Sequence, residues 1–181
     1  KVVCCGDSYT SGYIATDTGT IETNENYAWP KYMSKLTGNE WINCGSAGAN
    51  VLTWQTASRG LPKAKTSGKP VAYIIGLGLN DTSASSRHVD LGTNSDIGTD
   101  AKTYYGGYSK IIRELHTIAP DAYIFCQTMP NPNIVKTEYN QAIADIVKQY
   151  ANEYHTKLID LTRYNAKYNK RIVSQNVPSG G

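Results

Sequence analysis

The chain has 181 residues, 18 Lys and Arg against 15 Asp and Glu, and a formal net charge of +3. That length suits one domain over residues 1–181, able to bury about 70% of its unfolded surface without a metal or disulfide staple. A small charge excess with no basic run argues against a nucleic-acid surface, and the longest apolar stretch, Val71–Ile75, is far short of the ~20 residues that span a bilayer.

Lys1–Cys5 reads as a strand with no initiator Met or apolar leader before it, so targeting reveals no compartment and the chain is expected to be a trimmed domain. Tyr27–Leu36 places Trp29, Tyr32, Met33 and Leu36 at helical spacing, with Pro30 in the first turn. Glu40–Asn43 is a second strand, and Val51–Arg59 is a short helix of poor periodicity. Pro70–Ile75 is a third strand. The loop Thr82–Thr99 after it, rich in Ser, Gly, Thr and Asp, has a length usually reserved for functional or mobile segments. Asp100–Ile118 carries one stripe of Tyr104, Tyr108, Ile111, Ile112, Leu115 and Ile118, and Pro120 stops it. Ala122–Thr128 is a fourth strand, Lys136–Tyr154 a strongly periodic helix, and Lys157–Leu161 a fifth strand. Strand and helix in alternation predict an α/β fold, a parallel sheet covered on both faces.

Cys4, Cys5, Cys44 and Cys126 lack the paired spacing of a zinc site and lie in or at the end of apolar strands, so they read as buried structural thiols. Tyr is abundant, 14 against one Phe. It reads as a replacement for Phe in half-buried positions; the alternative is an exposed surface for stacking on sugars.

The chemistry converges on the strand ends. In a doubly wound sheet, ligands bind outside the carboxyl ends of the strands where strand order reverses. Gly6-Asp7-Ser8-Tyr9-Thr10-Ser11-Gly12 comes after the first strand, Asn43-Cys44-Gly45-Ser46-Ala47-Gly48-Ala49-Asn50 closes the second, and Gly76-Leu77-Gly78-Leu79-Asn80-Asp81 comes after the third. With strand order 2-1-3-4-5, right-handed crossovers set these three turns side by side. They then offer a hydroxyl at Ser8, a glycine N–H at Gly48 and a carboxamide at Asn80, with the Ser8 N–H as a further donor. Acyl transfer needs a nucleophile and donors aimed at a developing oxyanion. Asp7 and Asp81 read as turn residues accepting backbone N–H bonds, since an ordinary carboxylate is a poor base for a serine hydroxyl.

In these three blocks the chain resembles the SGNH (GDSL-type) hydrolases. Gly6-Asp7-Ser8 is similar to the block that carries their nucleophile, Gly48 to their oxyanion-hole glycine, and Gly78-Leu79-Asn80-Asp81 to their Gly-x-Asn-Asp block. The resemblance implies a flavodoxin-like three-layer α/β/α fold, no metal or cofactor, and hydrolysis of esters, often acetyl esters on carbohydrates. The expected partner is a small-molecule or glycan ester; oligomeric state is not legible. Asn80-Asp81-Thr82 is also an N-glycosylation pattern. A glycan there would block such a site, which argues against a eukaryotic secretory history.

The family's Asp-x-x-His block, which supplies the base, is missing after the fifth strand. The chain is therefore expected to be truncated at both ends, with the base just past Gly181. As written it is a damaged enzyme, left with the residual acceleration of its oxyanion hole. Of the three histidines, His116 reads as a boundary residue on its helix, His155 as solvated at the amino end of the sheet, and His88 as a loop residue on the correct face. Two rivals stay open. One is a flavin-type phosphate loop at Ser8–Gly12, against which the long gap to the next helix speaks; the other is a degenerate carbohydrate-binding domain on the esterase fold.

Overall fold

The computed structural model describes residues 1–15, 19, 21–130 and 134–162. Expectations that fall on 131–133 or beyond 162 lie outside them. Five strands form one parallel sheet: β1 (Val2–Gly6), β4 (Trp41–Gly45), β5 (Ala72–Gly76), β6 (Tyr123–Gln127) and β7 (Thr156–Ile159). Their order is β4-β1-β5-β6-β7, which is 2-1-3-4-5 when the sheet strands are counted along the chain. This is the flavodoxin-like arrangement, with the switch point at β1, between β4 and β5.

The strands read as apolar runs because helices cover both faces. Val3, Cys4, Cys5, Cys44, Tyr73, Ile75, Ile124 and Cys126 are all fully buried. Burial pushes the Cys44 thiol up to about 11 and the Cys126 thiol up to about 12, so these cysteines are packing residues, as expected.

Helix α4 (Tyr104–Ile118) begins four residues later than the sequence suggests, because the Thr103 side chain caps it by accepting from the Gly106 N–H. Its stripe is buried through Leu115, and the facing stripe of α5 (Ile134–Tyr150) contributes Tyr139, Ile143, Ile146, Val147 and Tyr150. Tyr therefore does serve as a core aromatic: Tyr104 sits 4.8 Å from Tyr139 and 5.6 Å from Tyr108, ring centre to ring centre.

Three local expectations are corrected. The helix expected over Val51–Arg59 is only a 3₁₀ turn at Thr53–Gln55, and the helix in this stretch is α3 (Leu61–Thr66). Gly60 heads α3 and Pro62 occupies its first turn; six residues are too few for a readable period. The gap before the second helix holds a two-stranded hairpin, β2 (Tyr13–Ala15) with β3 (Ile21–Thr23). Helix α2 (Trp29–Thr37) forms where predicted, but half of its stripe is not core: Tyr32 is 65% and Leu36 66% exposed.

The loop after β5 is pinned by backbone bonds. Val89 N–H donates to Asp81 O at 3.2 Å, Tyr104 N–H to Asp90 O at 2.8 Å and Tyr105 N–H to Leu91 O at 3.2 Å. Val89 and Ile97 are buried in it. The expected long loop is thus fastened to both of its flanks.

These burial differences set up a stability test by thermal unfolding. Leu115→Ala removes a fully buried side chain and should cost about 2–5 kcal/mol, while Leu36→Ala on the open side of α2 should stay within about 0.5 kcal/mol.

Candidate active site

Three adjacent strands end in glycine, in register: Gly6 pairs with Gly45 on one side and with Gly76 on the other. The four-residue helix α1 (Ser8–Ser11) sits directly over them. A Cβ on Gly45 would come within 2.3 Å of the Ser11 N and 2.6 Å of the Thr10 carbonyl carbon, and one on Gly6 would strike the Thr10 side chain at 2.1 Å. Backbone cannot yield as a side-chain tip can, so glycine at Gly45 is a condition for α1 lying where it does. Asp7 caps the helix, its carboxylate accepting from the Tyr9 N–H at 3.0 Å.

The second turn is tied to the first by Ser46 N–H donating to Gly6 O at 2.9 Å. It then reverses through Gly48, whose φ of +75° lies in the left-handed region that glycine adopts without strain. Asn50 shapes the adjoining 3₁₀ turn: its Oδ1 accepts from the backbone of Leu52 and Thr53 and from the Thr53 hydroxyl at 2.8–3.0 Å. Its Nδ2 reaches across to the Arg87 carbonyl at 2.8 Å. Sequence reasoning stops at the glycines of this block and misses the role of Asn50; an Asn at the head of a turn is the available signal.

The third turn locks onto both others. Asn80 Nδ2 donates to Ala49 O at 2.9 Å and lies 3.5 Å from Asp7 Oδ2. The carboxamide is thus held between the neighbour of Gly48 and the neighbour of Ser8. Asp81 Oδ1 accepts the Val51 N–H at 3.0 Å. Asn80 is thereby bonded to the chain neighbours of Ser8 and of Gly48, and among the described residues no hydrogen-bond partner is found for the Ser8 hydroxyl.

Asp7 is 2% and Asp81 0% exposed. Burial pushes the Asp7 carboxyl up to about 6, against the pull of the Tyr9 N–H. Burial pushes Asp81 up to about 7, the Val51 N–H opposing and the Asp7 charge adding. Both fill the turn-bonding role expected of them, and Asp81 Oδ2 has no partner among the described residues.

The histidines lie apart. His116 is half-buried with its ring 4.9 Å from that of Tyr154, and His155 is exposed at the amino end of β7. His88 sits on the loop after Asp81 with its Nε2 3.3 Å from Asp90 Oδ1. Among the described residues, none of the three bonds to Ser8. Among the described residues no group of three His, Cys, Asp or Glu is placed to hold a metal ion, and no helix is long and apolar enough to cross a membrane.

Beside the cluster, a cleft of about 370 Å³ opens at the ends of β1, β5 and β6, lined by Asp7, Tyr9, Trp29, Leu79, Gln127 and Met129 among others. Ser8, Gly48 and Asn80 are not in its wall, but the residues on either side of Ser8 are. Tyr9 is 75% exposed, so part of the Tyr complement does face solvent next to the site.

The raised Asp81 pKa gives a sign for stability. The folded state keeps the proton that the unfolded chain loses near the ordinary value of 3.8, so this carboxyl costs stability progressively from about pH 4 to about pH 7. The unfolding free energy of the wild type should therefore fall relative to that of Asp81→Asn across this interval, by an amount on the order of a few kcal/mol, and the gap should be constant above it. A gap that does not change between pH 4 and 7 would contradict the assignment.

Comparisons with known proteins agree with this geometry. The pattern of the GDSL-like lipase/acylhydrolase family matches residues 4–176. No curated protein matches the chain in sequence. Among solved structures, a family two carbohydrate esterase from Clostridium thermocellum, in complex with cellohexaose, is similar with a TM-score of 0.67 at 16% identity, over 88% of this chain and 53% of that one. A possible lipase from Chitinophaga pinensis gives 0.66 at 20%, over 88% and 66%. A putative lipolytic protein of the G-D-S-L family from Desulfitobacterium hafniense gives 0.57 at 18%, over 88% and 75%. The chain spans about half the length of the first of these. At such identities the structures speak for the fold, and the family pattern speaks for descent: the chain belongs to the GDSL-like lipase/acylhydrolase family.

Proposed function

We propose that this chain is a serine esterase that removes a short acyl group, an acetyl, from a carbohydrate or another small alcohol, with Ser8 as nucleophile. The observation that carries the reading is the Asn80 carboxamide, fixed by Ala49 O at 2.9 Å beside Gly48 and by Asp7 beside Ser8. Both amide hydrogens have an acceptor, Ala49 O at 2.9 Å and Asp7 Oδ2 at 3.5 Å; in this reading an oxyanion displaces the longer contact and meets that hydrogen together with the N–H groups of Gly48 and Ser8.

In this mechanism the Ser8 Oγ attacks the ester carbonyl carbon and its proton passes to a base. The carbonyl oxygen takes up negative charge against the three N–H donors, and the C–O bond to the alcohol breaks as the alcohol receives the proton. Water then repeats the sequence on the acyl-serine and releases the acid. Donors that need no rearrangement as charge develops are worth more than the same groups in water. The rigid bonding of Asn80 supports that reading, as does the buried anchoring of the turns by Asp7 and Asp81. All three histidines of the sequence lie among the described residues and none bonds to Ser8, so the reading assigns the base to no residue of this chain. The carbohydrate preference is supported by the exposed Tyr9 next to Ser8 and by the carbohydrate esterase named among the similar structures.

The test uses p-nitrophenyl acetate with the 181-residue chain, with and without imidazole as an external base, and a fluorophosphonate that marks activated serines. Turnover above that of Ser8→Ala and an adduct at Ser8 are expected. Asn80→Ala should lower the rate ~10²–10³-fold, the usual loss for one oxyanion donor, with the unfolding midpoint little changed. A chain that binds acetylated sugar but shows no turnover and no adduct is instead a degenerate binding domain.

A further inference from the structure

Gly48 has a second reason to be glycine. The point where its Cβ would stand is 3.0 Å from the Arg87 Nε, 3.4 Å from Cζ and 3.5 Å from Nη2. The guanidinium therefore lies against the bare face of the residue that supplies the glycine N–H. Arg87 is not a loosely tethered surface residue. Its carbonyl accepts from Asn50 Nδ2 at 2.8 Å, its N–H donates to Ser85 Oγ at 3.2 Å, and two residues on Val89 is buried and bonded to Asp81 O. The loop is clamped to the second and third turns on both sides of it.

The guanidinium itself is unmatched. Among the described residues it forms neither a salt bridge nor a side-chain hydrogen bond, and its side chain faces solvent. The nearest acidic residue along the loop, Asp90, is paired with His88 at 3.3 Å, and Asp81 is buried and bonded to Val51. The result is a planar, unpaired cation beside Gly48, carried on a loop whose backbone is clamped. A guanidinium presents a fork of donors that fits a carboxylate or a phosphate, and binding to an ionised group is about twice as strong as between neutral partners.

We propose that Arg87 is a specificity-determining residue, selecting acyl esters whose alcohol part carries an anionic group, a carboxylate or a phosphate, close to the scissile bond. This rests on the esterase reading of the same site. Uncharged esters still meet the three N–H donors, but they leave the Arg87 fork unfilled.

The test compares an acetylated glucuronic acid, its uncharged acetylated glucuronamide twin and an acetylated sugar phosphate, read by acetate release. Binding of the three to Ser8→Ala protein is measured by calorimetry. The acid should exceed the amide by about tenfold in kcat/KM and in affinity. Arg87→Ala should bring that ratio close to one, Arg87→Lys should keep part of it, and high salt should shrink it in the wild type. The phosphate arm decides which anion is preferred. An acid-to-amide ratio near one in the wild type, or one that Arg87→Ala leaves unchanged, overturns the proposal. If no acetate is released from any of the three, the esterase reading fails by itself, and the binding ratio still decides the role of Arg87.

Discussion

A short helix resting on bare backbone is the constraint that shapes the site. Gly6, Gly45 and Gly76 end three neighbouring strands in register, and α1 lies so close that a methyl group on Gly45 would enter its backbone. Ser8 opens that helix. Its hydroxyl is therefore carried by a rigid support fixed to the sheet, which is what the role of nucleophile proposed for it requires.

The three turns are then joined by buried polar contacts. Asp7 reaches both its own helix and Asn80, Asp81 holds Val51, Asn80 holds Ala49, and Asn50 holds Arg87. Three of these bonds, Asp7 with Asn80, Asn80 with Ala49 and Asp81 with Val51, join one turn to another. Burying two carboxyls here is costly, as their raised pKa values show. The cost is consistent with a site in which preorganisation outweighs local stability.

The same wiring reaches outward. Asp81, at the close of the third turn, takes part in fastening the loop after β5, and that loop sets Arg87 against Gly48. A segment whose length suggested a functional or mobile loop is fastened by its backbone beside the three turns. Its backbone groups find partners on Asp81, Tyr104 and Tyr105, none of which its own residues reveal.

The chain's own pattern was enough for the five strands, the stripes of α4 and α5, the buried thiols and the three glycine-bearing turns, because these depend on local spacing and on which residue types a covered parallel sheet can bury. It also determined that the turns meet, since crossover handedness leaves few other arrangements. Tertiary structure alone decided the rest. The exposure of Tyr32 and Leu36 depends on what α2 packs against, and a helical stripe looks the same whether or not a partner covers it. α3 and the β2–β3 hairpin are too short for a period. Asn50 and Arg87 act through contacts with residues 30 or more positions away, and no local pattern records an encounter between distant parts of a chain.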